Sequence, residues 1–153
     1  MIVDIFTFTT AKAAKNKKVG FAYVLSCNIN GKTATITNKG IYEDIGKNEA
    51  EIRVTKEAIE RVKPKNKTND EWNEVHLFTQ SPFVAAVLTD WLNKWMKTGT
   101  NSKGEPVADI YKELDAITKF VPVKEITQGE NEYLKWLRLE AENMITSNDK
   151  RSP

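Results

Sequence analysis

Asn30-Gly31 lies between two segments, 19–28 and 33–42, that carry strand-like residue patterns, and this dipeptide constrains the fold more than any other feature. Both residues tolerate the positive φ of a type I′ turn, the two-residue connection whose twist matches that of paired strands. Phe21, Tyr23 and Leu25 alternate along the first segment, and a further strand-like run precedes it at 2–9. The N-terminal part therefore reads as a meander of three antiparallel strands. The period then changes. In "KNEAEIRVTKEAIERVKP", Ile52, Thr55, Ile59 and Val62 share one helical face and Pro64 stops the helix. Asn48, with Glu51 three residues on, resembles a capping box. A helix between the meander and the next apolar strand, 74–79, is a crossover, which makes that strand parallel to its partner in the sheet.

Beyond a polar connector at 64–73, residues 82–97 read as one or two helices, and "TGTNSKGEP" as a flexible loop from which Pro106 starts a helix to about residue 119. A strand at 121–127 and a helix at 131–146 follow. Residues 1–146 thus form one domain, and 147–153 are expected to be a disordered tail. The 153 residues suffice to bury a core without a covalent staple. The longest apolar run, Phe83 to Leu88, is far below the ~20 residues of a membrane helix, so no membrane partner is expected. The strand-like "MIVDIF" at the start and the single cysteine, Cys27, suggest a cytoplasmic protein. Net charge is +2, but residues 1–42 carry +5 and the remainder −3. Lys12, Lys15, Lys17 and Lys18 fall within seven residues, a density that attracts phosphate or merely solvates a loop.

The element order, together with "WLNKW", "KGEPVADIYKELDAI" and "GENEYLKWL", resembles the bacterial type 1 ribonuclease H family across some 130 residues. The resemblance implies a five-stranded mixed sheet flanked by helices. It also implies a family activity: cutting the RNA strand of RNA–DNA hybrids with two divalent ions, Mg or Mn, held by four carboxylates. Hard cations take oxygen ligands, and a closely spaced pair clamps the attacking and leaving oxygens. Carried onto this chain, the four ligand positions are Phe8, Glu51, Gln80 and Lys135. One carboxylate remains, and Lys135 adds a positive charge, so no metal cofactor is expected. Asp4 shares a strand face with Phe8 but lies four residues, ~13 Å, away. The family's His loop is shortened to "TQGE", and the sole histidine, His76, is inside a strand and reads as structural.

Asn48 matches an Asn that meets the hybrid's minor groove in the family, and doubles as a cap. Trp91 and Trp95 match an aromatic pair near the DNA strand, with Lys94 and Lys97 beside them for phosphate; simple core packing explains the pair equally well. Trp72 and Trp136 read as core or rim residues. Two function classes follow. One is a catalytically inactive ribonuclease H-like protein that binds nucleic acid, RNA–DNA hybrid or duplex, weakly and through its backbone. The other is a protein-interaction or structural module on the same scaffold with an unidentified partner. An active nuclease with a relocated site is a third, for which no other acidic cluster offers itself. The four ligand positions should be neighbours, with Lys135 reaching Glu51 as an ion pair and Gln80 hydrogen-bonding to one of them.

Overall fold

The computed structural model describes residues 2–62 and 74–151, with side chains to residue 146. Strands β1 (Ile2–Thr9), β2 (Asn16–Ile29) and β3 (Lys32–Ile45) form the expected meander. At its tight turn Asn30 and Gly31 have φ of 52° and 79°, as a type I′ connection requires. Helix α1 (Lys47–Val62) crosses to β4 (Glu74–Thr79), which pairs parallel to β1, and β5 (Val123–Gln128) pairs parallel to β4. The sheet order is β3-β2-β1-β4-β5. It is the five-stranded mixed sheet the pattern implies. Between β4 and β5 run α2 (Pro82–Ala86), a π-helical turn (Val87–Trp91), α3 (Leu92–Thr98) and α4 (Asp109–Phe120), and α5 (Leu134–Arg151) follows β5. No described helix is long and apolar enough to cross a membrane.

Alternation sends successive strand residues to opposite faces. Ile5, Tyr23 and Leu77 join Ile52, Ile59 and Leu114 in the larger core, whereas Phe6, Ala22 and Val24 pack under Leu137 and Ala141 of α5. Helix α5 approaches β2 so closely that a Cβ on Gly20 would collide with the Ala141 carbonyl oxygen. Only glycine permits that contact.

Four local expectations need correction. The first turn of α1 is closed by the Gly46 carbonyl, which accepts from the Ala50 N–H at 3.0 Å, so Asn48 lies inside the helix and is not its cap. Pro106 does not begin α4; it bridges Thr100, and the helix starts at Asp109. The loop expected to be flexible is a hydrogen-bonded turn, because the Asn101 Oδ1 accepts from the N–H groups of Lys103 (2.9 Å) and Glu105 (3.0 Å). The last helix begins and ends later than 131–146, its backbone continuing to Arg151 through part of the presumed tail. The whole connector 64–73, with Pro64 and Trp72, and residues 152–153 lie outside the described residues.

Candidate nucleic-acid interface

The parallel pairing of β1 with β4, Phe6 opposite Phe78, carries both strands to one edge of the sheet, where α1 also begins. Thr7, Phe8, Thr9, Glu51, Val54, Thr79, Gln80 and Ser81 line a cavity of about 30 Å³ there. Three of the four positions singled out in the sequence thus meet, around little more than the space of a water molecule. Ser81 caps α2, its Oγ accepting from the Val84 N–H at 3.0 Å, and its own N–H donates to the Thr79 Oγ1 at 3.1 Å. Gln80 donates from Nε2 to the Gly129 carbonyl and so ties the end of β4 to the β5–α5 connection. Its amide is therefore occupied away from Glu51.

Lys135 is not part of this cavity. It is exposed on α5, and among the described residues it forms no ion pair with Glu51. The expected Lys135–Glu51 pair is thus corrected, as is Gln80's expected partner. Burial of Leu134, Leu137 and Ala141 fixes the rotation of α5 and turns Lys135 outward. The cation beside Phe8 is instead Arg138, whose guanidinium carbon lies 5.6 Å from the ring centroid. Nor do the cavity residues fit a pair of divalent ions. They offer a single carboxylate, with Ser81 engaged in capping and the Thr79 hydroxyl already accepting from Ser81, and among the described residues no three His, Cys, Asp or Glu are arranged to hold a metal ion.

Asn48, one turn before Glu51, opens onto a second feature, a groove of about 500 Å³ whose walls include Phe83, Trp91, Trp95 and Tyr111. The Trp91 and Trp95 rings are 6.0 Å apart, Trp91 meets Phe83 at 5.9 Å, and Trp95 meets Tyr111 edge-on at 5.2 Å. The pair is split in role: Trp95 is 8% exposed and Trp91 36%. The groove is electrically balanced, since Lys94 is paired with Asp90 at 3.1 Å and Lys103 shares the rim with Glu105. Lys97 is exposed on α3.

A third feature lies on the other side of Phe8. The turn between β1 and β2 and helix α5 enclose a cleft of about 940 Å³, with Lys12, Lys17 and Lys18 on one wall and Glu142 and Ile145 on the other. Asn16 shapes the turn: its Oδ1 accepts from the Lys12 N–H at 3.0 Å, and its Nδ2 donates to the Lys12 carbonyl at 3.0 Å and the Ala14 carbonyl at 2.6 Å. Lys15 is exposed on this turn.

No family model and no curated protein matches the chain in sequence. Solved structures do match in shape. LC9-RNase H1, a type 1 RNase H with the type 2 active-site motif, superposes with a TM-score of 0.75 at 13% identity, over 95% of this chain and 72% of that one. RNase H1 from the halophilic archaeon Halobacterium salinarum NRC-1 gives 0.67 at 14% identity, over 96% and 99%. LC11-RNase H1, solved in complex with an RNA/DNA hybrid, gives 0.65 at 16%, over 95% and 98%. The fold is that of ribonuclease H.

Within this ribonuclease H fold, His76 occupies β4 as expected, its Nδ1 3.7 Å from Asp4 Oδ1 and 3.8 Å from Glu125 Oε2 in a cross-strand row. That row lies well down the strands from Phe8 and takes no part in the Glu51 cavity. Sequence reasoning missed Arg138, whose signal was its place four residues after Leu134, beside the buried stripe, and Asn16, whose signal was an amide inside a lysine-rich turn.

Proposed function

We propose that this ribonuclease H-like chain binds nucleic acid, RNA–DNA hybrid foremost, without cutting it. The observation that carries the reading is the Glu51 cavity, where Phe8 and Gln80 flank a lone carboxylate and the residues present do not suit a two-ion site. Hydrolysis by that route needs converging carboxylates to position ions on the attacking and leaving oxygens. Binding needs only cations and flat apolar surfaces, which the β1–β2 turn and Trp91 supply. The RNA/DNA hybrid in the LC11-RNase H1 structure supports the choice of ligand. No cofactor is required, and a cytoplasmic location is part of the proposal.

The test is a labelled hybrid incubated with Mg²⁺ or Mn²⁺ and, separately, titrated at two salt concentrations. Intact RNA and affinity that falls with salt are expected, with a slope of roughly −3 to −4 if all four clustered lysines engage phosphate. Cleavage that disappears on Glu51→Gln would overturn the reading. A protein-interaction module is the second reading, favoured by Trp136 and Leu139, exposed at 38% and 55% on the outer face of α5. Absence of hybrid binding, or binding with a flat salt dependence, selects it.

A further inference from the structure

We propose that the cleft between the β1–β2 turn and α5 is a metal-independent track for the sugar–phosphate backbone, leading over Phe8 under the guanidinium of Arg138. The inference rests on the nucleic-acid reading above and gives it a path. Lys12 and Lys17, with Lys18 beside them, line the cleft against one lining acid, Glu142, and Arg138 lies over Phe8, which lines the same cleft. The aromatic groove, by contrast, is balanced. The positive potential of this face therefore lies on the Phe8 side of the Glu51 cavity.

Arg138 is held ready for the task. Its guanidinium sits over the Phe8 ring, and among the described residues it forms no ion pair. The nearby Glu140 is engaged by Lys39 at 2.6 Å. A guanidinium presents several N–H donors in a planar fork that matches phosphate oxygens. The opposite wall is equally defined, because Asn16 bonds the Lys12 backbone in both directions. Cations so placed hold a phosphate without a bound ion.

The geometry favours a polymer over a single phosphate. Phe8 lines both the cleft and the Glu51 cavity, and Asn48, one helical turn from Glu51, lines the aromatic groove. A strand in the cleft would leave its neighbouring bases free to meet Trp91, the combination of charged groove and aromatic platform on which nucleic-acid binding rests.

The experiment titrates a fluorescein-labelled hybrid of about 20 base pairs with the full chain in EDTA, then in Mg²⁺, at about 50 and about 200 mM salt. Equal affinity in EDTA and Mg²⁺ is expected. Arg138→Gln should weaken binding several-fold and flatten the salt slope by about 0.9, the contribution of one phosphate contact, and Lys12→Gln with Lys17→Gln should flatten it by about 1.8. Arg138→Lys should restore the slope but not the full affinity, because a lysine keeps the charge and loses the fork. Thermal melting of each variant checks that the fold is kept. If the hybrid binds, Trp91→Ala weakens it and the Arg138 and lysine variants do not, the track is wrong while the nucleic-acid reading stands. Binding that requires Mg²⁺ also overturns the track. Absence of binding by the unaltered chain at either salt overturns both.

Discussion

Replacing Phe8 and Gln80 together by Asp puts three carboxylates around a cavity of about 30 Å³ that now holds only Glu51. Without a metal ion the change destabilises the fold through three additive losses. Phe8→Asp removes the stacking with Arg138, worth about 0.5–1 kcal/mol at an exposed site. Gln80→Asp removes the donor to the Gly129 carbonyl, worth about 1 kcal/mol. Carboxylates roughly 5 Å apart at an effective dielectric of about 20 repel by about 3 kcal/mol per pair before ionic screening. Divalent ions should then offset part of the effect. At ten times its dissociation constant Mg²⁺ stabilises by about 1.4 kcal/mol, which for a domain of this size raises the melting temperature by about 3–6 °C. Thermal melting in EDTA and in Mg²⁺ reads this directly, and the unaltered protein should melt at the same temperature in both. Adding Lys135→Asp should enlarge the Mg²⁺ response little, because Lys135 is exposed away from the cavity. A double variant indifferent to Mg²⁺ would refute the convergence of Phe8, Glu51 and Gln80. An equal Mg²⁺ response in the unaltered protein would refute the statement that its residues do not suit the ion.

Trp91 and Trp95 should separate cleanly in mutation. Trp95→Ala removes a buried ring and should cost about 3–5 kcal/mol in urea unfolding, whereas Trp91→Ala should cost far less stability and weaken hybrid binding by about 1–3 kcal/mol in anisotropy titrations. Gly20→Ala should destabilise by about 1–3 kcal/mol by denaturant titration, since the new methyl meets the Ala141 carbonyl and α5 must shift. Leu137→Ala, in the fully buried contact of α5 with Phe6 and Val24, should cost about 2–5 kcal/mol in the same assay.

What the sequence made legible was whatever depends on period and turn chemistry. The Asn30-Gly31 turn needs positive φ at two successive residues, and β4 was bounded correctly at 74–79 because its alternation is strict. The cap of α1 was misread because Asn48 and Glu51 satisfy a local pattern equally well wherever the helix starts. Gly46, without a side chain to advertise it, supplies the closing carbonyl. Pro106 was misread for a similar reason, since proline suits a helix start and an extended bridge alike. Here the left-handed Gly99, φ 76°, ends α3 and lets Thr100 pair with Pro106.

The candidate site divides along the same line. Phe8, Glu51 and Gln80 sit at element ends whose positions follow from topology, so naming the strands and α1 was enough to bring them together. Lys135 sits on a helix face, and its direction depends on rotation about the axis of α5. At about 100° per residue, Lys135 lies about 100° from the buried Leu134 and points outward, whereas Arg138 lies only about 40° from it and reaches the Phe8 ring. The same arithmetic places Ile145, about 20° from Leu134, along the cleft, as observed. Rotation was in fact encoded in the stripe Leu134, Leu137 and Ala141. It became readable only once β1 and β2 were known to lie beneath that stripe, because an apolar stripe states which way a helix faces but not what it faces. The expected cation paired with Glu51 is therefore not there; the cation that α5 brings to this end of the sheet is Arg138, one helical turn after Lys135, and it meets the Phe8 ring instead.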